Sequence, residues 1–326
     1  MKIRNGLLGL VLAGMSAACG AQSAWSPQRN VEIVVGSAPG GSNDKTARQV
    51  EKILVEQKLL STSLTVVNRT GAGGGIALNY LTQHPGDAHY LIVFTPSMIT
   101  NHITGQSKLN YTDFTPVASL FNDYIVFAVN AASSIKTGKD LIERLKKDPQ
   151  SVAIGFATAL GSHNHIAAGI LMKSIGGDPR SLKAVAYKGS SEAITNLLGG
   201  HIDLVTTAAG NVAGHVEAGK LRVVGVAAPQ RFPGALANIP TWKEQNVNVV
   251  FGGWRAIMGP KGLSAAQIAF WEGVLRKATQ VPEWKDGILK NYWSDDFVTS
   301  AQFSRDIEKD YADMKAVLVE LGLAKQ

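Results

Sequence analysis

The chain has 326 residues, of which 45% are hydrophobic and 17% charged, and a formal net charge of +7. That balance excludes an intrinsically disordered chain and leaves length for two domains with separate cores. The densest basic run, Arg144-Leu145-Lys146-Lys147, has no interleaved aromatics, so it reads as a solvated helix face and not as a nucleic-acid surface, and the mild positive excess helps attract anions.

At the amino terminus, Lys2 and Arg4 precede the apolar run Leu7–Met15, followed by small residues up to Ala24. This is the pattern of a cleavable signal peptide over residues 1–24, cut after Ala21 or Ala24, and it predicts export to the periplasm. The run is too short to span a bilayer, which takes about 20 apolar residues. Cys19 is the only cysteine. A lipid anchor there is the alternative to cleavage, but Ser16-Ala17-Ala18 lacks the bulky aliphatic that opens a lipobox; either way the mature chain forms no internal disulfide.

Strand and helix signals then alternate. Val31–Val35 reads as a strand, Ser42 as the cap of a helix to about Leu59, and Leu64–Val67 and Tyr90–Phe94 as further strands. Helical periodicity returns at 137–147, 162–174, 190–198 and 211–218, with strands near 152–154, 184–186, 203–205 and 222–226. From Ser264 onward the pattern is helical, over 265–278, 283–290 and 301–321, which predicts a tail packed on the first lobe. Such alternation indicates an α/β fold with doubly wound sheets, whose ligands bind beyond the carboxyl ends of the parallel strands. Two extended apolar segments, Tyr124–Val129 and Val249–Trp254, read as two crossings of an interdomain hinge. The expected division is a discontinuous lobe 1 (25–124 and 252–326) and a lobe 2 (125–251), with the ligand cleft between them.

Three Gly/Ser/Thr-rich stretches fall where a strand hands over to a helix: Ser37–Asp44, Thr158–His163 and Tyr187–Ser191. Helix starts offer unpaired amides and the positive ends of peptide dipoles, so several facing one cleft form a carboxylate site without a buried arginine. Gly40 and Gly41 are candidates for amide contact, their alternative being a tight turn. Asp44 either touches the ligand or pairs with Arg48 at i+4. Ser162 is both a pocket candidate and an apt helix cap. Thr95 and Ser97 follow a strand and can reach the ligand from the first lobe; Tyr187 can reach it from the second or pack in the core.

Other chemistry is poorly supported. His163 and His165, at i and i+2, point to different helix faces and have no acidic cluster beside them, so no metal is expected. Gly71-Ala72-Gly73-Gly74-Gly75-Ile76 lacks the third glycine of a dinucleotide loop and reads as a backbone turn near the cleft, with no cofactor. Gly161-Ser162-His163 lacks the spacing of a nucleophile elbow, so a hydrolase or isomerase is only a runner-up to a binding protein. A ligand-presenting sensor subunit would share the same pocket.

The chain resembles the Bug-type periplasmic receptors of tripartite tricarboxylate transporters. The likeness rests on landmarks in order: Trp25–Pro27; Pro39-Gly40-Gly41 with Asp44 and Ala47-Arg48; Asn68–Gly74; Gly161-Ser162 with His165; Tyr187–Ser190 with Ala193; Leu198-Gly199-Gly200 with Asp203; Gly219–Arg222; Arg231; and Ile239-Pro240-Thr241 with Glu244. It implies a two-lobed receptor that closes over a small organic carboxylate and delivers it to the large and small membrane subunits of a permease; the receptor itself is expected to be a monomer. It also implies that the loops matching Ser37–Asp44 (with Pro39) and Thr158–His163 (with Gly161) grip one carboxylate between them. After Asp203 the run Leu204–Gly210 departs from many relatives, which carry an aromatic and a second acid there; this favours a ligand without an amino group.

Overall fold

Val31–Val35 (β1) is apolar at four of five positions and buried at the same four, as a strand covered on both faces must be. The computed structural model describes residues 25–40, 42–157 and 159–325. After β1 come α1 (Ser42–Glu56), β2 (Leu64–Asn68), α2 (Gly75–Leu81), β3 (Tyr90–Phe94), α3 (Pro96–Ile103) and β4 (Phe114–Phe121). The middle of the chain supplies β5 (Ile125–Asn130), α4 (Gly138–Lys147), β6 (Ala153–Ala157), α5 (His163–Ser174), β7 (Lys183–Tyr187), α6 (Ser190–Leu198), β8 (Leu204–Ala208), α7 (Ala213–Glu217) and β9 (Leu221–Val226). The chain closes with β10 (Arg255–Pro260), α8 (Ala265–Ala278), α9 (Pro282–Asn291), β11 (Val298–Thr299) and α10 (Ser300–Glu320). The signal peptide and Cys19 lie outside the described residues.

The strands form two sheets, in the orders β11-β4-β10-β3-β1-β2 and β7-β6-β8-β5-β9. Each is doubly wound around a parallel trio, β2-β1-β3 in one and β7-β6-β8 in the other. Each also holds a strand of opposite sense next to that trio: β10 is antiparallel to β3 and β4, and β5 to β8 and β9. The reason lies in the connections. β5 and β10 are the strands that enter each sheet from the other, so they run away from the junction, while the parallel strands run toward it and deliver their carboxyl-end loops there. The result is a two-lobed fold with a cleft between the lobes.

The two crossings lie side by side. Gly253 N–H donates to Asp123 O at 2.8 Å, Ile125 N–H donates to Phe251 O at 3.3 Å, and Tyr124 bridges Gly252. Trp254 anchors the return crossing: its indole N–H donates to Asp310 at 2.7 Å, and its ring stacks on Phe94 and meets Phe303 edge-on. The helical tail does more than cover the first lobe. α10 packs on α3 and β4 but also on α5, and Lys173 pairs with Glu320 at 2.5 Å. A helix of 21 residues is about 31 Å long, enough to reach both lobes.

Helix starts carry their own signals. Thr137 and Asp140 form a reciprocal capping box on α4, as do Ser264 and Gln267 on α8. Ser42 differs from expectation: it is the first residue of α1, and its hydroxyl accepts from Arg255 Nη2 at 3.3 Å. In the second lobe Trp242 is fully buried and meets Phe127 edge-on at 5.1 Å. At about 25 cal/mol per Å2, an aromatic of that size contributes several kcal/mol as an upper bound.

Candidate ligand-binding site

The loops after β1, β3 and β6 meet around a cavity of about 340 Å3. Ser37, Thr95 and Ser97 line it from the first lobe, and Gly161 and Ser162 from the second. The turn at Gly73-Gly74 closes one wall, where the Gly73 carbonyl accepts from the Asn101 side chain at 2.8 Å, so the glycine-rich segment is a backbone turn at the cleft. Asn43, in the first turn of α1, and Ser162, the cap of α5, both border the space. The first amides of each helix have no intrahelical acceptor, which makes this border electropositive.

Hydroxyls and amides in the two loops divide between free groups and groups spent on holding the loops. Ser37 Oγ is buried without a partner, while the Ser37 carbonyl accepts from Asn68 Nδ2 at 3.0 Å. Thr95 caps α3 by position, with no side-chain hydrogen bond to the helix. Ser162 is likewise a cap by position only: its hydroxyl donates to Ala157 O at 3.1 Å, pinning the loop to the end of β6. Gly161 N–H donates to His165 Nδ1 at 3.0 Å. Burial pushes His165 down to about 4, so the ring stays neutral and keeps accepting there.

Five of the candidates, Pro39, Gly40, Asp44, His163 and Tyr187, do not line this cavity. Asp44 is 2% exposed, and its carboxylate accepts from Gly40 N–H at 2.8 Å, Asn68 Nδ2 at 2.9 Å and Arg48 Nε at 3.0 Å. Burial alone would raise its pKa, but those donors hold the carboxyl below the usual range. It fixes the loop's shape from inside. The Gly40 amide is consumed by that bond, and Pro39 beside it is exposed. Tyr187, on edge strand β7, is partly buried against the second-lobe core that holds Val205 and Ile202. His163 opens α5 but lines a different cavity. Gly41 and Thr158 lie outside the described residues.

Sequence reasoning missed Arg255. It opens β10, is 8% exposed, and lines a second cavity of about 460 Å3 together with Ser42, Lys45, Asp123, His163 and Asn164. Burial pushes Asp123 up to about 6 against the pull of Arg255. Burial and the neighbouring Arg255 charge push His163 down to about 4. No local pattern announces this cluster, since Ser42, Asp123, His163 and Arg255 come from four distant segments. Among the described residues no group of His, Cys, Asp and Glu is arranged to hold a metal.

The fold has close counterparts. A crystal structure of a solute-binding protein from Polaromonas superposes with a TM-score of 0.79 at 25% identity, over 90% of this chain and 99% of that one. A Rhodopseudomonas palustris protein solved with adipate shares the fold, with a TM-score of 0.75 at 24% identity over 91% of this chain and 99% of its own. BugT of Bordetella pertussis is 27% identical over 282 residues, 84% of this chain and 83% of the relative. The model of the tripartite tricarboxylate transporter family receptor matches residues 46–323. The chain therefore belongs to that family, one of solute-binding receptors and not of enzymes.

Proposed function

We propose that this receptor works outside the cytoplasm, in the periplasm, after loss of residues 1–24, and closes over a small organic carboxylate that it delivers to the large and small membrane subunits of a tripartite permease. The lobes of this reading are 25–124 with 252–326, and 125–251, hinged at the paired crossings. The observation that carries it is the opposition of the starts of α1 and α5 across one cavity with free hydroxyls from Ser37 and Thr95. Gly161 and Ser162 shape the far wall, and Ser97 borders the mouth.

Magnitudes agree. A cavity of about 340 Å3 lies at the small end of ligand pockets, which run from about 300 to 1,000 Å3. Micromolar affinity needs about 8 kcal/mol. Three or four hydrogen bonds to a charged group, at about 1.5–3 kcal/mol each, reach that after association costs are met partly by apolar burial. The adipate held by the Rhodopseudomonas protein is an acid of this kind in the same fold.

A thermal-shift screen of mono-, di- and tricarboxylates, aromatic acids and acidic amino acids tests the reading, because a ligand at 100 times its Kd stabilises the native state by about 2.7 kcal/mol. At least one acid should raise the melting temperature by several degrees and its amide should not. A screen in which neutral sugars stabilise the protein and no acid does would overturn it.

A further inference from the structure

The sequence dictates how α10 ends. Gly322 follows it with a φ of 70°, the left-handed conformation that glycine adopts without steric cost, and turns the chain back. Gly322 N–H then donates to Val319 O at 2.9 Å and Leu323 N–H to Leu318 O at 2.8 Å. These are the paired bonds of a Schellman motif, in which the residue after the glycine makes an apolar contact back to the last turn of the helix. Here that residue is Leu323, packed on the cluster that holds Leu318. Beyond it Lys325 N–H donates to Ile103 O at 2.8 Å, so the tail crosses from the end of α10 to the end of α3.

The loop that opens α5 stands against this corner. A Cβ on Gly161 would lie 3.4 Å from Leu318 Cδ2 and from Thr104 Cγ2, and 3.7 Å from Leu323 Cδ1. About two turns further along α5, a Cβ on Gly169 would lie 3.1 Å from Val317 Cγ1. Ile166, between the two glycines, is fully buried in the cluster that holds Phe94 of β3. The second lobe therefore sets the start of this helix on helix ends of the first. The loop's own hydrogen bonds run to Ala157, Ala159 and His165, all in the second lobe, so they fix its shape but not its distance from the opposite wall. Gly161, Ser162 and Thr104 line the first cavity, whereas Leu318 and Leu323 do not.

We propose that Leu318 and Leu323 are positioning residues for ligand binding: the turn they form at the end of α10 holds the start of α5 at its place in the cavity wall, so the tail sets affinity without touching the ligand. Binding groups work when held to within about 0.5 Å by neighbours whose own conformations are locked by packing. The effect on affinity rests on the carboxylate reading above, while the effect on the order of the loop does not. Leu318 is fully buried and Leu323 partly, so Leu323 is the one to trim with the smaller cost to the fold.

The full chain is tested by hydrogen exchange without ligand, which reads local opening, and by calorimetry with the acids of the thermal-shift screen, succinate, adipate and citrate among them. The variants are Leu323→Ala, Leu323→Met, which keeps the volume, and Ile307→Val, which trims the same helix about three turns before Leu318. In Leu323→Ala, residues 159–166 should exchange at least tenfold faster than in the wild type while 31–35 keep their rate, and the tightest acid should bind at least fivefold more weakly. Leu323→Met should restore both, and Ile307→Val should leave both within twofold of the wild type. Unchanged exchange over 159–166, equal acceleration over 31–35, faster exchange with affinity unaltered, or the same losses in Ile307→Val would each overturn the inference. If no acid binds the wild-type protein, the carboxylate reading falls, and exchange over 159–166 still decides whether the tail holds the loop.

Discussion

Around Arg255 the buried titratable residues respond to acid in opposite ways. His163 and His165 are held near 4 by burial, below the ordinary 6.5, so the unfolded chain binds their protons first and stability drops as pH falls from about 6.5 to 4. Asp123 is raised to about 6, so the folded chain binds its proton first and stability is gained as pH falls from about 6 to 4. Two histidines against one aspartate leave a net loss on acidification, at most about 1.4 kcal/mol per pH unit from these three residues. Asp123→Asn removes the opposing contribution, so calorimetric melting between pH 7 and 4 should show a steeper acid loss in the variant. Parallel curves would mean that Asp123 ionises normally in the fold. The capping loops were legible from their own residue types, and Ser37, Thr95, Ser97, Gly161 and Ser162 do meet at one cavity. Arg255 was not legible, because 213 positions separate it from Ser42 and only the sheet order brings β10 beside the cleft.

Among the elements, those with strong periodicity stand where the pattern puts them, as with β3 at Tyr90–Phe94 and α8 at Ala265–Ala278. β4 and β10 were missed for a physical reason. β4 contains Pro116 and Ser119, and β10 begins with Arg255 and ends in Gly259-Pro260, so neither reads as an apolar run; each is held as a strand by its neighbours in the sheet. β9 shows how tightly such neighbours fit. A Cβ on Gly225 would lie 2.5 Å from the Trp242 ring, which the second-lobe core encloses completely. Gly225→Ala should therefore cost about 1–3 kcal/mol in urea unfolding by overpacking. A stability within 0.5 kcal/mol of wild type, as is usual for surface substitutions, would show that the indole can shift.

At the scale of the molecule, the parallel trios, the loops they aim at the junction and the alternation of strand and helix were all readable, because each follows from local pattern plus the right-handed rule of crossover connections. The inverted strands β5 and β10 were not, since their sense depends on where the chain enters each sheet. Nor was the span of α10 across both lobes, which needs its length set against tertiary distances. The lobes are thus tied by the two crossings, by α10 and by the end of α9, where Tyr292 meets Phe232. X-ray scattering with and without a saturating acid should show the radius of gyration falling on binding as the lobes close about the crossings. An unchanged radius would mean that α10 and the Lys173–Glu320 pair already hold the molecule rigid.

The hydrogen bond from Gly253 to Asp123 carries a consequence for how such receptors diversify. Everything between those two residues leaves and rejoins the body of the protein at a single point, as a cassette does. A recombination event that exchanged this stretch between paralogues would need to match one short junction, the face of α10 and the end of α9 with Tyr292, so one wall of the cleft can be traded without redesigning the remainder.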